Sequence, residues 1–239
     1  MFNRFVFYDG PSMIDGKPIV GIATNVLRAS KNAKTGAMVQ TYVMRSDIEP
    51  HLAVKTGDDI SVCDGCPHRS IASGGKGSCY VIPFRAPLSV HRAWQRGNFD
   101  TPTPGEAADR LAGLKVRMGS YGNPSAIPFH VWERLLSKTS GHSGYDHRWT
   151  EIDLQWSRLV MASADSAQEA EHAHRLGYRT FRVRRESDPI LPSERVCPAA
   201  TEAGKVLSCS ECRQCDGTST GVGRPSRVII AHGPTAGRF

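Results

Sequence analysis

Seven cysteines in two groups constrain this chain more than any other feature. Cys63, Cys66 and Cys79 lie together, Cys197, Cys209, Cys212 and Cys215 lie together, and none falls between. An odd count, in a chain whose opening MFNRFVFYDG has no apolar h-region or small-residue cleavage site, argues against a disulfide framework and for reduced thiols. Two groups then predict two metal or iron–sulfur sites. The same reading predicts an unprocessed, cytoplasmic protein. No run approaches the roughly 18 apolar residues needed to span a bilayer, so no membrane partner is expected.

The C-terminal group reads CPAATEAGKVLSCSECRQC, in which Cys209, Cys212 and Cys215 are spaced C-x2-C-x2-C and Cys197 precedes them. Thiolates at this interval turn inward onto one centre, and four of them satisfy either tetrahedral zinc or a [4Fe–4S] cube with one thiolate per iron. His232, after a strand-like run, is a competing fourth ligand. The N-terminal group, SVCDGCPHRSIASGGKGSCYV, offers Cys63, Cys66 and Cys79 with His68 nearby. Either His68 completes a structural zinc site, or one coordination position stays open for chemistry.

Apolar runs at 18–24, 37–45, 114–120, 159–164, 178–183 and 227–231 read as strands, and 89–96, 105–113, 130–138 and 166–176 read as helices. In RLVMASADSAQEAEHAHRLGYRTFRV a buried strand leads into a helix capped by Asp165 or Ser166, Gly177 ends the helix, and a second strand follows. This βαβ unit predicts an α/β fold with parallel strands. Because 239 residues are short for eight full repeats, the expected form is an irregular or partial (β/α) barrel. The expected organisation is one domain over 1–239, with metal-binding loops at about 60–82 and about 195–232.

Functional groups of such folds gather beyond the carboxyl ends of the strands. Asp165 is there a candidate nucleophile or general base, with N-capping as its structural alternative. Tyr121 and Asn123, in SYGNPSAIP, are candidate catalytic groups or simply a turn. Lys31 and Lys34, in SKNAKTG, are candidate phosphate contacts, although the spacing is not that of a P-loop. A net charge of +7 and the run RTFRVRR point to polyanions, with Arg182 and Arg184 on one strand face and Phe181 and Val183 on the other. His142, Asp146 and His147, in GHSGYDHRW, sit beside aromatic residues able to stack a base, at no recognised metal spacing.

The C-x2-C-P…C-Y pattern, the SKNAKTG segment, the RMGSYGNP turn and the late C-x2-C-x2-C together resemble an uncharacterised family of phage and prophage cysteine-rich proteins. More distantly, the three-cysteine segment ending in Cys79 and Tyr80 is similar to iron–sulfur proteins that look like radical S-adenosylmethionine barrels. Cys209, Cys212, Cys215 and His232 are similar to the zinc site of tRNA-guanine transglycosylases. These resemblances imply a metalloenzyme in a host cytoplasm, acting on nucleic acid or a nucleotide-derived substrate by radical chemistry or base exchange, with S-adenosylmethionine as a cosubstrate in the first case. The alternative expectation is a non-catalytic, zinc-stabilised nucleic-acid-binding protein.

Overall fold

A computed structural model describes residues 3–29, 32–218, 221 and 223–239. Its strands are β1 (Arg4–Pro11), β2 (Pro18–Thr24), β3 (Val39–Arg45), β4 (Lys115–Tyr121), β5 (Gly141–Ser143), β6 (Tyr145–Asp146), β7 (Met161–Ala164), β8 (Thr180–Arg184), β9 (Glu194–Val196) and β10 (Ser226–Ile230). The helices are α1 (Pro50–Thr56), α2 (Ile60–Cys63), α3 (Ala86–Gln95), α4 (Pro104–Arg110), α5 (Phe129–Leu136), α6 (Ala167–Arg175) and α7 (Cys209–Cys212).

The strands form two five-stranded sheets, ordered β1-β2-β3-β4-β5 and β6-β7-β8-β10-β9. In the first, β1, β2 and β3 pair antiparallel, and β3, β4 and β5 pair parallel. All neighbours in the second are parallel. The α/β class with parallel strands is therefore observed. Among the described residues the strands form no ring: the first sheet ends at β1 and β5, the second at β6 and β9.

One residue joins the sheets. Gly144 alone separates β5 from β6; its N–H donates to the Cys215 carbonyl at 2.8 Å and its carbonyl accepts from the Met161 N–H at 3.0 Å. A Cβ there would stand 3.1 Å from the side chains of Met118 and Val160, so the chain passes through a gap that only glycine fills without displacement. Residues 141–146 thereby border both sheets.

Local chemistry explains the elements. Every residue of β3 is buried, the pattern of a central strand covered on both faces. Thr103 and Glu106 form a capping box before α4, with Pro104 in its first turn. Ser166 caps α6 by accepting from the Glu169 N–H at 3.1 Å. Phe5, Ile19, Ile22, Val43, Met44, Leu111 and Trp132 fill the space between the first sheet and its helices. Each such side chain contributes about 1.5–3 kcal/mol by leaving water. Among the described residues, no helix is long and apolar enough to cross a membrane.

Candidate functional site

The second cysteine set is built by a one-turn helix and a left-handed turn. Ser208 and Glu211 form a capping box that starts α7, and its ends, Cys209 and Cys212, three residues apart, share a helix face. Arg213, at φ 51°, reverses the chain so that Cys215 returns to the same place. Cys197 arrives from the carboxyl end of β9, with its N–H held by the Val228 carbonyl at 2.9 Å. All four line one small void of about 10 Å³. His232 does not line that void; its Nε2 lies 2.8 Å from Lys34 Nζ, and its ring stacks on Tyr80 at 5.7 Å.

The first set sits on a loop that folds back on itself. Cys63 ends α2, and Asp64, at φ 50°, turns the chain toward Cys66. The Cys79 N–H then bonds to the His68 carbonyl at 2.9 Å, which brings the third cysteine back to the first two. Buried Asp59 pairs with Arg69, whose Nη2 also donates to the Gly57 carbonyl at 2.7 Å, and this closes the loop at its base. Asn123 ties the loop to the strand ends. Its N–H donates to the Val62 carbonyl at 2.7 Å, and its Nδ2 donates to the Cys63 carbonyl at 3.1 Å.

Both cysteine sets face one pocket of about 440 Å³, to which Cys63, Cys66, Cys79, Cys197 and Cys209 all contribute. Its walls carry the cations Lys34, Arg85 and Arg117, and among the described residues no aspartate or glutamate lines it. The Arg117 guanidinium is buried, 4.4 Å above the Tyr145 ring and 3.4 Å from the Tyr80 hydroxyl. Lys34 is placed there because its loop docks on α7: the Lys34 carbonyl accepts from the Cys209 N–H at 2.8 Å. Gly36, at φ 62°, makes that docking possible, since a Cβ would sit 2.3 Å from Ser210 Oγ. Burial lowers the Lys34 pKa, and the nearby Cys197 sulfur opposes the shift.

The thiols are held in a form that favours protons. Burial pushes Cys66 and Cys215 up to about 12 and raises Cys63, Cys79, Cys209 and Cys212, with neighbouring sulfurs adding to the shift in Cys63. Bare thiolates would repel one another in this low-dielectric space. A cation between them reverses that balance and releases the protons.

Several residues singled out in the sequence have clear positions. Tyr121 lines the pocket, and its buried hydroxyl has no hydrogen-bond partner; burial raises its pKa well above the usual value, with Cys63 next in effect. Asp165 does not cap α6, since Ser166 does. Its Oδ1 instead lies 2.9 Å from His68 Nε2; burial is the largest influence on its pKa and raises it, but that hydrogen bond together with the charges of His147, His68 and Lys76 brings it below the usual value. The other His68 nitrogen, Nδ1, lies 2.7 Å from Ser78 Oγ, so both ring nitrogens are engaged by oxygen partners.

Arg182 and Arg184 lie away from the pocket. They share a face of β8, as alternation predicts, but that face is inside the protein. Arg182 makes a bidentate pair with Glu194, both contacts at 2.7 Å, and Arg184 pairs with Glu202. A guanidinium left unpaired inside a protein is costly, so both are committed to carboxylates and neither reaches the pocket. It is Phe181 and Val183, on the opposite face, that line it. Lys31 lies outside the described residues. Arg117 was not singled out from sequence, and His147 was noted only for its aromatic neighbours and at no metal spacing; the further signal was their position on or just beyond a parallel strand.

Comparison of the chain with protein-family models, curated proteins and solved structures finds no match.

Proposed function

We propose that this protein is a metalloenzyme whose two cysteine sets hold iron–sulfur clusters around a shared pocket, and that it acts on a phosphate-bearing, nucleotide-derived substrate. The observation that carries the reading is the convergence of both sets on one pocket walled by cations and, among the described residues, lined by no aspartate or glutamate. That volume lies within the usual range for small-molecule sites. The charge of Arg117, Lys34 and Arg85 suits an anion, and the Tyr80–His232 stack supplies a flat surface for a base.

The number of thiolates in each set suits an iron–sulfur cube. Cys197, Cys209, Cys212 and Cys215 provide one thiolate per iron of a cube, whereas Cys63, Cys66 and Cys79 leave one iron open to a substrate. Such a centre supplies electron transfer or Lewis acidity when bound. The chain's own residues orient the anion through Arg117 and Lys34 and exclude bulk water. The alternative expectation, a zinc-stabilised nucleic-acid-binding protein, loses the strand arginines that suggested it, because Arg182 and Arg184 are paired internally.

The test is calorimetric titration of anaerobically purified protein with GMP, AMP, CMP and UMP. At least one is expected to bind, with affinity falling as salt rises and at least about tenfold weaker in Arg117→Met, the equivalent of about 1.4 kcal/mol. Binding of none, or binding unchanged by Arg117→Met, overturns the substrate reading. Salt-sensitive binding of duplex DNA in its place would favour the non-catalytic alternative.

A further inference from the structure

His68, His147 and Asp165 form a constellation that the cysteine chemistry does not use. His147 follows β6, and Asp165 follows β7, so the two stand at the carboxyl ends of adjacent parallel strands. His68 reaches them from the first cysteine loop. Their three ligand atoms lie within 4.8 Å of one another, the one such group of histidine, cysteine, aspartate or glutamate found among the described residues. His68 Nε2 is 2.9 Å from Asp165 Oδ1, and His147 Nε2 is 3.9 Å from Asp165 Oδ2.

We infer that these three side chains are a binding site for a single divalent first-row metal ion, separate from the cysteine centres. At metal–ligand distances of about 2.1 Å, neighbouring ligands stand about 3.0–3.4 Å apart, so the group needs only a small contraction to close on an ion. Two imidazoles and one carboxylate are the donor set of mononuclear iron(II) sites that keep open positions. His147 Nε2 is buried and has no hydrogen-bond partner, which is the expected state of a ligand atom whose ion is absent. The outer partner is also in place. Ser78 Oγ, 2.7 Å from His68 Nδ1, is an oxygen able to take the Nδ1–H when Nε2 ligates the ion. Both histidines line the pocket, so the free coordination positions face the space assigned to the substrate.

An internal ion pair between His68 and Asp165 is the competing account, and it differs in two ways. It leaves His147 Nε2 unpaired beside a carboxylate, and it predicts no metal-dependent stabilisation. The metal site gives each of the three side chains a partner.

Manganese(II) separates this site from the thiolates, because it prefers carboxylate and imidazole to sulfur. Full-length protein is titrated with manganese(II) and the free ion is followed by its six-line paramagnetic resonance spectrum. The expected result is one tightly held ion per chain and a rise in Tm with added metal. His147→Gln and Asp165→Asn are each expected to weaken binding by more than about 100-fold, and Ser78→Ala by about 10–100-fold, while the exposed Arg158→Ala binds as the wild type does. His147→Gln lacks the His68–Asp165 contact problem and keeps the test valid if Asp165→Asn fails to fold. No bound manganese, or equal binding in wild type and His147→Gln, overturns the inference. Either result leaves the iron and sulfide content of the cysteine centres untouched, so the two readings fail separately.

Discussion

The first sheet and its helices are held by a continuous apolar core, in which Phe5, Ile19, Ile22, Met44, Leu111 and Trp132 are fully or almost fully buried. The first part of the chain also buries Arg117 and the Asp59–Arg69 pair, but the second sheet buries three ion pairs together with sulfur. Arg179 pairs with Asp216 at 3.1 Å, Arg182 with Glu194 at 2.7 Å, and Arg184 with Glu202. Its apolar cluster is small and includes Cys197 and Cys215. Burying hydrocarbon stabilises directly, whereas a buried ion pair roughly offsets its own desolvation and is costly mainly when broken. The first sheet therefore stands on its own packing. The second depends on complete pairing and, under the proposed reading, on what its four thiols hold.

The largest effect is expected from breaking one of those pairs. Arg182→Ala leaves Glu194 buried without its partner and should cost about 3–5 kcal/mol in urea unfolding, with loss of the metal held by the second cysteine set. Replacing both partners by Met and Leu should recover most of that stability; if it does not, the pair contributes more than its removal penalty. Leu111→Ala, in the first core, is expected to cost about 2–5 kcal/mol but to leave metal content unchanged. Equal metal loss in both variants would break the contrast between the sheets.

A smaller effect is expected from pH, part of it from two histidines that pack on the first sheet. Burial lowers the pKa of His142, whose Nε2 lies 2.9 Å from the Leu159 carbonyl, and of His91 beside the Arg45 carbonyl. Above about pH 6.5 neither the folded nor the unfolded chain protonates these rings, and their contribution is complete. As pH falls below that value the unfolded chain takes up protons first, so Tm should decline, and His142→Asn should flatten the decline. The smallest effect is expected at the surface. Arg158→Ala removes an exposed contact to Glu133 and should change stability by no more than about 1 kcal/mol.

Much of the strand and helix framework was legible because its strands are apolar runs and its helices carry start and stop signals. The runs at 18–24 and 227–231, and the Ser166 cap, lie where they were expected. β1 was missed: RFVFYDGP mixes charge and aromatics without clean alternation, and pairing with β2 decides it. β5 and β6 are three and two residues long, too short for periodicity to show. In the site, cysteine spacing revealed each set by itself but not that both open on one pocket, because that depends on how two sheets meet at Gly144. RTFRVRR misled for a related reason. Alternation tells which residues share a face, and only the distant Glu194 and Glu202 reveal that the arginine face is internal. Likewise, nothing in local sequence brings His68 to Asp165, 97 positions away.

The metal content of the cysteine centres is the most direct measurement to make. The wild type, Cys63→Ser and Cys209→Ser are to be purified without oxygen and assayed for iron, acid-labile sulfide, zinc and visible absorbance. Two clusters give a brown wild type with about eight irons and matching sulfide per chain, and each variant retains about half. A colourless wild type with about two zinc ions and no sulfide would contradict the two-cluster reading.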